Sequence, residues 1–97
     1  MTTYHTVIVT FRAKPDRSED FRATMKSVGT DLPKIAGCIG VRVFQDTANA
    51  HGYTLVEEWE TQQMHSDHID NLVASGGWAS IEEMLSEPPE TLIVRAI

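Results

Sequence analysis

The chain has 97 residues, 41% hydrophobic and 23% charged, with a net charge of -6; this is ordinary globular composition, enough for one core and too little for two domains. Its eight basic residues are scattered from Arg12 to Arg95 without forming a stripe, which argues against nucleic acid and against anionic membrane surfaces as partners. The single cysteine, Cys38, excludes an internal disulfide framework, and no apolar run approaches the roughly 20 residues needed to span a bilayer.

The segment from Met1 to His5 has no basic region followed by an apolar stretch, so no signal peptide is expected and the chain reads as cytosolic. From Tyr4 to Arg12 the sequence predicts a strand, with Val7, Val9 and Phe11 on one face and Ile8 between threonines on the other. Pro15 and Asp16 follow, with Glu19 spaced from Asp16 as in a capping box. Phe21, Met25, Val28 and Leu32 then recur at helical spacing, and the helix should end near Pro33.

Gly37-Cys38 leads into a second strand in which Ile39, Val41 and Val43 alternate with Gly40, Arg42 and Phe44. A loop over residues 46–52 and a third strand, Tyr53 to Trp59, complete a hairpin. Thr61 can cap a second helix containing Met64, Ile69, Leu72 and Val73. That helix gives way at Ser75-Gly76-Gly77 to a short helical segment from Trp78 to Leu85. Pro88-Pro89 resets the chain into a last strand near Thr91 to Ile97.

The order β-α-β-β-α-β predicts an α+β, ferredoxin-like domain over residues 1–97: a four-stranded antiparallel sheet with its helices on one face. The strands nevertheless carry apolar residues on both faces. We expect Ile8, Phe44, Leu55 and Ile93 opposite Val9, Val43, Val56 and Val94. A face without helices needs a partner, and a two-fold homodimer packed through that sheet face closes without leaving edges to polymerise.

Chemistry concentrates in Glu57 to His68, which read "EEWETQQMHSDH". On a helical wheel Met64, His65, His68, Ile69, Leu72 and Val73 fall within one half-turn, so both histidines lie on or beside the core-facing arc. Three readings are open. A metal site would use His65 and His68 with a carboxylate, but Asp67 points off the arc and no HExxH, CxxC or facial-triad spacing occurs. A neutral His68 beside a pocket can act as a base near neutral pH. A partly buried histidine with satisfied nitrogens needs no function at all.

Trp59 shares a strand face with Leu55 and Glu57, where it can wall a cavity and offer its N–H to a ligand oxygen, or simply fill the core. Glu58 and Glu60 read as a solvated face near a helix N-terminus. Cys38 reads as a small buried residue, since nothing beside it in sequence would activate a thiolate.

The combination of "GCIGVRVFQD", "LVEEWET" and His68 nine residues after Trp59 resembles the antibiotic biosynthesis monooxygenase family across essentially the whole chain. The resemblance implies a dimeric α+β barrel of two ferredoxin-like subunits, each with a small-molecule cavity between its own sheet and helices. It also implies a monooxygenase that acts on a quinol-like or aromatic molecule with O2 and without metal, flavin or haem. Such chemistry asks for a base, hydrogen-bond donors and an apolar wall.

On that basis His68 and Trp59 are the expected catalytic pair, with Arg95 or Arg42 as further donors. Glu57, Met64, His65, Leu72, Phe11 and Trp78 are the expected substrate-binding residues. The chain departs from the haem-degrading branch, with Phe11 in place of Asn and His68 in place of the helical Trp. It departs from the anthrone-oxygenating branch at Leu55, where that branch carries Asn. Two other functions are consistent with the same residues: a non-catalytic dimeric module that holds a small ligand in a stress response, and an isomerase acting on a small carbonyl compound.

Overall fold

The computed structural model describes residues 4–97. Four strands, β1 (His5–Arg12), β2 (Cys38–Gln45), β3 (Gly52–Trp59) and β4 (Glu90–Val94), alternate with helices α1 (Ser18–Asp31), α2 (Gln62–Ala74) and α3 (Gly77–Glu83). The sheet order is β2-β3-β1-β4 and every neighbouring pair is antiparallel. This is the α+β ferredoxin-like arrangement read from the element order. β1 and β3 occupy its centre, which explains why β-branched and aromatic residues concentrate there.

The register corrects one expectation about the faces. Val9 lies opposite Leu55, Val43 opposite Leu55, and Val7 opposite Ile93, so Leu55 and Ile93 belong with Val9 and Val43 under the helices. Ile8 lies opposite Val56 and Thr6 opposite Val94, which places Val56 and Val94 on the open face with Ile8 and Phe44. Alternation within a strand is visible in sequence, but the phase between strands is set by register, and a one-residue shift exchanges the faces. Ile39 departs for a related reason: a bulge between Cys38 and Gly40 interrupts the alternation and leaves Ile39 43% exposed.

The core forms where β1 and β3 meet α1. Val7, Val9 and Phe11 from β1, Tyr53, Leu55 and Trp59 from β3, and Phe21 and Met25 from α1 are all buried. Phe21 packs between Phe11 and Tyr53, its ring centroid 5.3 and 5.1 Å from theirs. The expected Asp16 capping box does not form. Pro15 opens a 3-10 turn over Pro15–Arg17, so Asp16 lies inside a turn, and no side chain caps α1. Thr61 does cap α2, where its Oγ1 accepts the Met64 N–H at 3.1 Å.

The sheet face away from the helices is uncovered in the single chain. Ile8, Val56 and Val94 are partly exposed there, with Phe44 at 41% and Leu92 at 59%. No described helix is long and apolar enough to cross a membrane.

Candidate functional site

The period of two along β3 turns Leu55, Glu57 and Trp59 toward the helices. Glu57 is thereby 4% exposed and is the buried charged side chain among the described residues. A carboxylate in such a place needs a partner or a proton. Its partner is Trp59: the indole Nε1–H donates to Glu57 Oε1 at 2.8 Å. Burial pushes the Glu57 carboxyl above its ordinary range, and the bond from Trp59 only partly opposes this.

Trp59 is fully buried, and its one donor is spent on Glu57. The expectation that it would offer its N–H to a ligand is therefore not met; the indole is core material that orients its neighbours. His68 of α2 stacks on it with ring centroids 5.2 Å apart and planes 26° apart. His65 meets the same indole at 5.6 Å and the His5 ring at 5.3 Å. Burial holds both helical histidines below their ordinary value; for His65 the charges of His5 and His68 add to the effect. Cys38 is partly buried nearby, and burial, with the Glu57 charge, raises its thiol.

A cavity of about 380 Å³ lies between part of the sheet and the three helices, within the range of small-molecule sites. The sheet supplies Val9, Phe11, Leu55 and Glu57 to its wall, and α2 supplies His68, Ile69 and Leu72. Trp78 and Ile81 of α3 close one side, and α1 closes the other with Met25 and Val28.

Among the residues singled out from sequence, Phe11, Glu57, His68, Leu72 and Trp78 line this cavity; Trp59, Met64 and His65 do not. Met64 is used elsewhere. Gly37 has φ +89°, and a Cβ there would collide with the Met64 side chain, so this pair seats the start of α2 against the entry to β2. Nor do the two arginines reach the site: Arg42 lies 4.9 Å over the Phe44 ring on the open face, and Arg95 is absent from the wall.

Polar residues of α1 were not anticipated. Thr24, Ser27 and Asp31 also line the cavity. With Val28 they recur at i, i+3, i+4 and i+7, a helical stripe beside the apolar one, and that spacing was the available signal. Among the described residues no group of three or more His, Cys, Asp or Glu converges as metal ligands would.

The sequence profile of the antibiotic biosynthesis monooxygenase family matches residues 4–72. The chain belongs to that family. The matched segment contains Phe11, Glu57, Trp59, His68 and Leu72, while Trp78 and β4 lie beyond it. Solved structures extend the likeness over the whole fold of this family member. A conserved protein from Methanosarcina mazei Go1 is 25% identical, with 99% of this chain and 95% of that one covered at a TM-score of 0.86. PA3566 from Pseudomonas aeruginosa is 21% identical, with 100% and 97% covered at a TM-score of 0.85. A structure named an antibiotic biosynthesis monooxygenase is 14% identical, with 96% and 98% covered at a TM-score of 0.85. No curated protein matches the chain.

Proposed function

We propose that this member of the antibiotic biosynthesis monooxygenase family oxygenates a quinol-like or aromatic small molecule with O2 in the cavity under α2, without metal, flavin or haem. The observation that carries the reading is His68: it is partly buried, stacked on Trp59, and on the wall of an otherwise largely apolar cavity. Burial favours the neutral imidazole, so His68 is free to accept a phenolic or benzylic proton near neutral pH.

Removal of that proton leaves an electron-rich carbanion or phenolate. This anion supplies the electrons to O2; one oxygen atom enters the substrate and the other leaves as water. Val9, Phe11, Leu55 and Leu72 keep the reacting pair away from bulk solvent, which limits reprotonation. Trp59 acts from behind by fixing the plane of His68. A homodimer formed through the open sheet face belongs to the same reading, because Phe44 and Leu92 are exposed there beside Ile8 and Val56.

The test is O2 consumption by metal-stripped protein against a panel of quinols and anthrones, with substrate-only autoxidation as the baseline. Protein-dependent uptake that falls by about a hundredfold or more in His68→Ala is the expected outcome. Uptake equal to autoxidation across the panel would instead favour an isomerase on a small carbonyl compound or a ligand-holding module.

A further inference from the structure

The formally charged side chains on the cavity wall are both carboxylates. Among the described residues the wall contains Glu57, Asp31 and the imidazole of His68, and neither Lys nor Arg. The two acids differ in kind. Asp31 ends α1 with its side chain 69% exposed and lies 3.6 Å from Lys34 Nζ, so water and a counter-charge screen it. Glu57 is buried, pairs with no described cation, and spends only Oε1, on Trp59. Its second oxygen makes no hydrogen bond to any described residue and belongs to a side chain on the wall.

We propose that Glu57 sets the charge selectivity of this cavity: its free oxygen accepts a hydrogen bond from the hydroxyl of a neutral aromatic ligand, and the site excludes carboxylated, sulfonated or phosphorylated analogues. The inference rests on the cavity being the ligand site, and not on the oxygen chemistry. A ligand anion entering this wall leaves water without finding a fixed cation, which is costly. The Cys38 thiol from β2 feels the Glu57 charge and the His68 imidazole from α2 shares the cavity wall, and neither carries a fixed positive charge at neutral pH. The Glu57 carboxylate accepts from the ligand hydroxyl and repels an anion.

The proposal separates from the general preference of apolar pockets for neutral ligands through substitution at Glu57. Titration calorimetry at pH 7 with 1-naphthol and its anionic counterpart 1-naphthoate reads it directly. In the natural protein 1-naphthol should bind at least about tenfold more tightly. Glu57→Gln keeps an oxygen for the Trp59 N–H and a donor for the ligand but carries no charge. It should hold 1-naphthol within about threefold and reduce the discrimination at least about fivefold. Asp31→Asn should leave the ratio unchanged.

An unchanged ratio in Glu57→Gln, a ratio that moves in Asp31→Asn instead, or no detectable 1-naphthol binding up to its solubility each overturns the proposal. Should Glu57→Gln not fold, Glu57→Met serves: 1-naphthoate should gain while 1-naphthol loses about tenfold with the lost hydrogen bond. The two ideas fail separately. This binding pattern without O2 uptake sinks the oxygenase alone, and O2 uptake with equal affinities sinks the charge selectivity alone.

Discussion

The two long helices cover the same sheet in opposite ways. α1 drives Phe21 and Met25 into the core until they are 0% and 2% exposed, yet no side chain caps its start. α2 has a capping threonine and buries no residue at all. The inward residues of α2, His68, Ile69 and Leu72, face the cavity, and Val73, on the same sequence arc, is 56% exposed. α1 thus contributes core as well as cavity wall, whereas α2 borders the cavity without burying a residue. Helical periodicity is blind to this distinction, because an amphipathic stripe forms equally well over a packed core and over a cavity that a ligand can fill.

The largest effects should come from residues that belong to the core rather than only to the cavity wall. Trp59→Ala should cost about 3 to 5 kcal/mol, because the ring is wholly buried despite its contact with His68. A denaturant midpoint shift corresponding to less than about 1 kcal/mol would mean that the indole lines the cavity after all. A matched pair sharpens the comparison further. Met25→Ala, on α1, should cost about 2 to 5 kcal/mol, because this side chain is almost wholly buried although it too borders the cavity, whereas Leu72→Ala, on α2, removes a half-buried side chain and should cost about 1 kcal/mol or less. Equal costs for the pair would erase the distinction between the helices.

The same contrast explains what the sequence made legible. Strand and helix order, the Thr61 cap and the turn at Gly76 are local, and local chemistry announces them: alternation in β1 and β3, a threonine before a helical stripe, and a glycine that the structure holds at φ +82°. The pairing phase of Val56 and Val94 is not local, since it depends on register across strands, and the bulge at Cys38 adds a shift that nothing in the "GCIG" stretch marks as such. At the site, His68 stands out in the sequence because a histidine on an apolar arc is anomalous, and Glu57 stands out through the "LVEEWET" stretch that carries the family resemblance. The α1 wall was missed because Thr24 and Ser27 are unremarkable on any helix, and only the folded geometry brings them onto the same cavity wall as His68. Met64 had the right arc and a different task, which Gly37, twenty-seven residues earlier in the chain, defines.

A helix that rests over a cavity depends more on its own ends. Thr61→Ala removes the oxygen that accepts the Met64 N–H, and should cost about 1 kcal/mol. Part of that loss should appear locally, as faster amide exchange in the first turns of α2 with little change in α1. Uniform acceleration across both helices would mean that α2 opens only with the whole domain, and that the cavity does not loosen its attachment.

The smallest effect is a dependence on pH that belongs to α2 and spares α1. His65 and His68 both sit below the ordinary value of 6.5 because the folded protein buries them. Below that value the unfolded chain takes up protons that the folded chain resists, so stability is complete above it and falls as the pH drops through it. Glu57, raised above 4.5 by burial, acts in the opposite sense: its contribution is present at low pH and is lost as the pH rises through its elevated value. None of these groups lies on α1. Urea midpoints followed from about pH 7.5 down to 5 should therefore fall less steeply in His65→Gln than in the natural protein, while Met25→Ala should shift the whole curve without changing its slope. A slope that survives His65→Gln and His68→Gln together would place the acid sensitivity elsewhere and leave α2 a helix whose looseness is purely a matter of packing.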